Sequence, residues 1–180
     1  MHPTSEELDA ALAAVSGSPS DQGRVELIVR RPDVGEREVV ESAELDLDEG
    51  LIGDSWRARG SSRPDGSANR DAQLTLMNVH AAQAVATTRE RWPLAGDQVY
   101  VDLDLSVDNL PPGSRLSLGE AVIEITHEPH TGCAKFSERF GSDAIRWVNK
   151  SPGRELRLRG VNARIVEGGT IRVGDTISRL

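Results

Sequence analysis

Apolar residues in this chain recur with a period of two. Val99, Val101, Leu103, Leu105 and Val107 alternate with polar residues from Gln98 to Asp108, and Val25, Leu27 and Val29 alternate with Arg24, Glu26 and Arg30. Successive side chains of a strand point to opposite faces, so this pattern predicts half-buried strands. Shorter stretches repeat it: Glu44–Asp48, Gln73–Met77, Arg115–Leu118 and Ala121–Thr126 around a Gly119-Glu120 turn, Leu156–Leu158, Val161–Val166, and Thr170–Ser178. Many short strands punctuated by Gly168-Gly169 and Gly174-Asp175 predict a mostly β fold, a barrel or a sandwich.

Helical signals are few. Thr4 and Glu7 make a capping-box pair ahead of Leu8, Ala11, Leu12 and Val15, predicting a helix over Thr4–Ser16, followed by a linker to Gly23. Asn78 is placed to cap a helix running to Arg91, where Trp92-Pro93 stops it. Ala134–Phe140 and Ser142–Lys150 also read as helices. Arg57–Asp71, almost without apolar residues, reads as a long loop of the kind that covers a site. A length of 180 residues suits one principal domain, so residues 1–23 are a helix and linker and residues 24–180 the domain.

Charge narrows the partners. The 29 acidic and 21 basic residues give a net charge of −8, and no run of Lys or Arg offers a track for a phosphate backbone, so nucleic acid is not expected. No apolar stretch approaches the ~18–20 residues of a membrane span, and no export signal is recognised at Met1–Ala10. The single cysteine cannot form an internal disulfide, and a free thiol suits the cytoplasm. Lys135 and Lys150 are the only lysines.

That cysteine, Cys133, lies where a strand gives way to a helix, in His127-Glu128-Pro129-His130-Thr131-Gly132-Cys133-Ala134-Lys135-Phe136. Unpaired amides at a helix start favour the thiolate, and His130 or Lys135 could add positive charge. A thiolate there can attack sulfur, carry a persulfide or ligate a soft metal. The competing reading is a small buried hydrophobe sharing a face with Phe136 and Phe140. His127, His130 and Cys133 also have donor types suited to zinc, but a strand end need not point His127 toward the other two. Asn109, before Pro111, reads on spacing as a turn residue, and the loop arginines Arg57, Arg59, Arg63 and Arg70 as groups that receive a phosphate bidentately or as solvated counter-charges.

Taken together, Gly50-Leu51-Ile52-Gly53-Asp54, Arg70-Asp71-Ala72-Gln73-Leu74, Asp108-Asn109-Leu110 with Gly113, Leu118-Gly119-Glu120-Ala121, Cys133, and Arg159-Gly160-Val161-Asn162-Ala163 make the chain resemble the MOSC domain, the C-terminal domain of molybdenum cofactor sulfurase, in its small stand-alone bacterial form. The resemblance runs from about Val25 onward and implies a MOSC-type β-barrel with a few short helices. It implies the molybdenum cofactor (molybdopterin) as ligand and Cys133 as sulfur carrier or molybdenum ligand, serving sulfur transfer or the reduction of N-hydroxylated compounds. It places Arg70 and Asn109 beside the cysteine, and with His130, Gly132 and Lys135 these form the expected cofactor-binding set. The partners implied are a protein that donates or accepts sulfur and, for reduction, a redox partner, since one cysteine cannot hold an iron–sulfur cluster. Pyridoxal phosphate attaches to the family label through the desulfurase domain of the large sulfurases; neither lysine here stands in a recognisable pyridoxal site. A barrel module that binds a small anion without turnover is the alternative.

Overall fold

The computed structural model describes residues 1–180. Its strands are β1 (Gln22–Arg30), β2 (Glu38–Val40), β3 (Ser42–Asp46), β4 (Gly50–Leu51), β5 (Leu74–Asn78), β6 (Val99–Asp102), β7 (Arg115–Leu118), β8 (Ala121–Ile125), β9 (Val161–Glu167), β10 (Gly169–Arg172) and β11 (Thr176–Arg179). Helices are α1 (Ser5–Ala10), α2 (Leu12–Ser16), α3 (Trp56–Arg59), α4 (Val79–Ala86), α5 (Ala134–Phe140) and α6 (Ser142–Asn149). Seven strands close into a barrel in the order β1-β6-β5-β9-β8-β7-β11, and β11 returns to β1. β10, β3 and β4 form a separate small sheet.

Closure depends on β1, whose length is divided among three partners. Gln22–Arg24 pairs with Thr176–Ser178 of β11, Arg24–Ile28 with β6, and Ile28–Arg30 with β2. A register shift between Val25 and Leu27 puts Val25 and Ile28 into the barrel interior and turns Leu27 and Val29 outward. The simple alternation of Val25, Leu27 and Val29 is therefore broken by a bulge, which re-aims the side chains beyond it.

The two faces feed two cores. Inside the barrel, Leu74, Leu76, Val99, Val101, Ile123 and Ile177 pack together. Outside it, Leu27, Val29, Met77 and Tyr100 meet the helices through Leu8, Val85, Phe136, Phe140 and Val148. Phe136 and Phe140 touch edge to face with centroids 4.9 Å apart, and burying each ring stabilises the fold by about 1.5–3 kcal/mol. This second core explains how α5 and α6 are pinned to the outside of the barrel.

Four sequence expectations are corrected. The helix expected over Thr4–Ser16 divides at Ala11 into α1 and α2, although the Thr4–Glu7 capping box forms. α4 stops at Ala86, because Thr87 takes φ 66°, and Arg89–Ala95 continues as a 3-10 turn. Leu156–Leu158 lies in turns rather than a strand. The alternation beyond Asp102 is not a strand either: Leu103 and Leu105 plug the core, while Asp104 N–H donates to Pro19 and Val107 N–H to Glu155, both in loops. Alternating burial needs only that side chains reach the core, not that the backbone joins a ladder.

Candidate active site around Cys133

The chain leaves β8 through residues 126–133 and enters α5 with Cys133 as its N-cap, in an extended conformation. The approach is held by α6. Gly132 N–H donates to Asn149 Oδ1 at 2.8 Å, and Asn149 Nδ2 donates to the Gly132 carbonyl at 3.0 Å. A side chain at position 132 would begin 3.1 Å from Val148 Cγ2 and 3.2 Å from Ile145 Cγ1, so glycine is what lets the loop lie this close to α6. The consequence is an exposed thiol directed away from the core that buries Phe136.

Its acidity is raised. Partial burial opposes ionisation, but the backbone N–H groups of Phe136 and Lys135, with the charge of Arg159, outweigh it and hold the Cys133 thiol below its ordinary value. The thiolate is the form that attacks sulfur or binds a soft metal.

Cys133 opens into a cavity of about 340 Å³ whose wall carries Arg31, Arg37, Arg59, Arg139, Arg159 and Lys135. Asp33 is the one carboxylate on the lining. Arg31 is spoken for: Asp54 receives it through both oxygens at 2.8 and 2.9 Å, and its Nη1 donates to the Gly96 carbonyl at 3.0 Å. Arg37 is steadied by the carbonyls of Pro93 at 3.1 Å and Glu36 at 2.6 Å, and Arg139 by that of Leu94 at 2.7 Å, neither with a carboxylate. Burial, followed by repulsion from Arg139 and Arg31, pushes the Arg37 pKa down, and burial followed by Arg31 does the same to Arg59. Cations crowded this way on a protein of net charge −8 define a site for an anion.

Behind the cavity stands a buried ionic cluster. Asp97 is 0 % exposed; it accepts from His130 Nε2 at 2.6 Å through one oxygen and from Arg159 through the other. Arg159 also donates to the Ala95 carbonyl at 2.8 Å and lies 5.1 Å over the Phe136 ring, while its Nε is buried without a partner. Burial alone would push Asp97 up, but Arg159 and His130 reverse this and keep it ionised below the usual carboxylate range. His130 goes down, through burial and the charge of Arg159, so it is a neutral imidazole donating Nε2–H to Asp97.

The expected site residues are thus distributed. Lys135 is on the cavity wall with Cys133, and Gly132 sets the backbone just before it. His130, with His127, lines a second cavity of about 270 Å³ on the far side of Arg159, which belongs to both walls. Cys133 and the two histidines are therefore not gathered around one point. Arg70 does not reach either cavity: it pairs on the surface with Asp48 at 2.5 Å. Asn109 does not either; its Nδ2 ties Ser20 and Asp104 carbonyls at 2.8 and 2.7 Å, and its Oδ1 accepts from Arg179 at 3.2 Å, the loop-stabilising role that its turn position suggests. Sequence reasoning missed Asp97, Asn149, Arg31, Arg37 and Arg139; the large excess of Arg over Lys was the available signal, but it carries no positions.

A closed seven-stranded barrel with a few short helices packed outside it is a MOSC-type fold. The chain belongs to the MOSC domain family, whose pattern matches residues 69–178, and that family is associated with the molybdenum cofactor. The fold is similar to that of the YuaD protein of Bacillus subtilis, with a TM-score of 0.65 and 15 % identity over 87 % of this chain and 94 % of that one. It is also similar to YiiM from Escherichia coli, with a TM-score of 0.55 and 18 % identity over 87 % of this chain and 69 % of that one. YiiM from Geobacillus stearothermophilus gives 0.51 and 13 % over 88 % and 73 %. No curated protein matches in sequence. No helix is long and apolar enough to cross a membrane.

Proposed function

We propose that this protein acts on the molybdenum cofactor or its sulfur through Cys133, either holding sulfur as a persulfide for transfer or coordinating molybdenum for the reduction of N-hydroxylated compounds. The observation that carries the reading is the pairing of an exposed, acidified thiol with an arginine-lined cavity in one wall. Molybdopterin carries a phosphate, and the donor set suits it: a thiolate is a soft ligand, and guanidinium groups receive phosphate oxygens in pairs. Arg37, Arg59, Arg139 and Lys135 would hold the anionic end, since none of them is committed to a carboxylate. Bound there, the cofactor would supply a redox-active, sulfur-binding metal. Arg159 stabilises the thiolate, and Asn149 fixes the backbone that delivers it. Sulfur would come from or go to a partner protein, reduction would draw electrons from a redox partner, and a free thiol suits the reducing cytoplasm.

The test is to express the parent and Cys133→Ser in a host that makes the cofactor, then measure molybdenum by elemental mass spectrometry and persulfide by thiol labelling. Both should disappear from the serine variant with the melting temperature unchanged. The arginines by themselves also favour a module that binds a small anion without turnover, and that reading is the one supported if Cys133→Ser retains its ligand in full.

A further inference from the structure

We propose that the second cavity, between the 126–131 loop and the 153–162 segment, is a separate binding site for a tetrahedral oxyanion, a phosphate- or sulfate-type group. It does not depend on the molybdenum reading of Cys133. Its wall carries His127, His130, Arg154, Arg157 and Arg159 against one carboxylate, Glu128. Of its three arginines only Arg159 has an acidic partner, Asp97, which also receives His130.

The other two arginines are held so that part of each guanidinium stays available. Arg154 uses Nε on the Asn149 carbonyl at 2.7 Å, which leaves both of its terminal nitrogens without a protein partner. Arg157 uses Nη1 on the carbonyls of Leu105 and Leu110, at 3.2 and 2.6 Å, and keeps Nε and Nη2 free. A guanidinium fixed along one edge and free along another is already ordered for an oxyanion, so binding loses little side-chain entropy. Carbonyls are neutral acceptors, so these bonds do not cancel the charge, and burial pushes the Arg157 pKa down. Arg157 also sits at φ 51°, a left-handed backbone that favours glycine, and its side chain lines the cavity. At about 270 Å³ the space exceeds a single tetrahedral anion, so it accepts either a free oxyanion with water or the phosphoryl end of a larger molecule.

The experiment is isothermal titration of the full chain with inorganic phosphate, and separately with glycerol 3-phosphate, at low ionic strength. It compares the parent with Arg154→Gln, Arg157→Gln and Arg59→Gln. Arg154 is exposed and its side chain makes a single bond, so its variant keeps the fold even if Arg157→Gln does not. Phosphate should bind the parent, and Arg154→Gln should weaken it roughly ten- to a hundredfold, as expected for a lost charge-assisted bond. Arg59→Gln, which alters only the Cys133 cavity, should leave the Arg154-dependent component of binding unchanged. Tighter binding of glycerol 3-phosphate than of phosphate assigns the site to a phosphate ester, and equal binding assigns it to the free anion. The proposal is overturned if phosphate at tens of millimolar gives no heat, or if Arg59→Gln abolishes binding while Arg154→Gln does not.

Discussion

Removing Asp97 should cost this fold more than any other single change at the site. Its carboxylate is fully buried, receives His130 at 2.6 Å, and is the only acidic partner of Arg159, which is itself 8 % exposed. Asp97→Ala strands that guanidinium in a low-dielectric wall, and breaking a buried pair on one side costs about 3–5 kcal/mol. In a domain of this size each kcal/mol moves the melting temperature by roughly 2–4 °C, so a fall of about 6–20 °C is expected by calorimetry. The pH dependence has a definite sign. His130 has its pKa lowered by folding, so below pH ~6.5 the unfolded chain takes a proton that the folded chain refuses, and stability declines as pH falls through that range. Asp97, lowered in the folded state, contributes stability that is present above the ordinary carboxylate value and is lost at still lower pH. The parent should therefore melt lower at pH 5 than at pH 7, and His130→Gln should flatten that difference. A loss below ~1 kcal/mol in Asp97→Ala would show that the cluster is not the buried, charged unit described, and the reasoning would fail with it.

Other outcomes follow from the same geometry. Asn149→Ala releases both Gly132 bonds, so the Cys133 thiol pKa should rise and alkylation by iodoacetamide at pH 7 should slow; an unchanged pH profile would remove Asn149 from that role. The parent should alkylate while native, with an apparent pKa below that of the denatured chain's thiol, whereas labelling only after denaturation would contradict an exposed, acidified thiol. Arg70→Ala removes an exposed ion pair and should change unfolding by only ~0–1 kcal/mol in urea. Asn109→Ala loses three side-chain bonds and should cost ~1–3 kcal/mol while Cys133 reactivity stays as in the parent.

How far the sequence could be read differs between fold and site. Strands whose backbone and side chains agree were legible, as with Arg115–Leu118 and Ala121–Ile125 around Gly119-Glu120. Leu103 and Leu105 misled because burial follows side chains and strand assignment follows backbone partners, which there are loops. Cys133 was legible because it is the only cysteine and stands at a helix start. Its surroundings were not: the cavity wall gathers Arg31, Arg59, Arg139 and Arg159 from four separate stretches of the chain, and Asp97 is recognisable only once His130 and Arg159 are seen to converge on it. Arg70 and Asn109 stand in a surface pair and a loop tie, partners that motif order does not carry.

The division of β1 among three neighbours has a consequence for synthesis. Its first residues pair with Thr176–Ser178, so the ring cannot shut until more than 150 further residues have left the ribosome. At 5–20 residues per second that interval is on the order of ten to thirty seconds. Through it Gln22–Arg24 keeps its outer edge unpaired, and the helices that bury Phe136 and Phe140 have only an open sheet to pack against. Such long-range closure predicts slow refolding in vitro. It also makes the nascent chain, rather than the finished protein, the form most exposed to strand-to-strand aggregation.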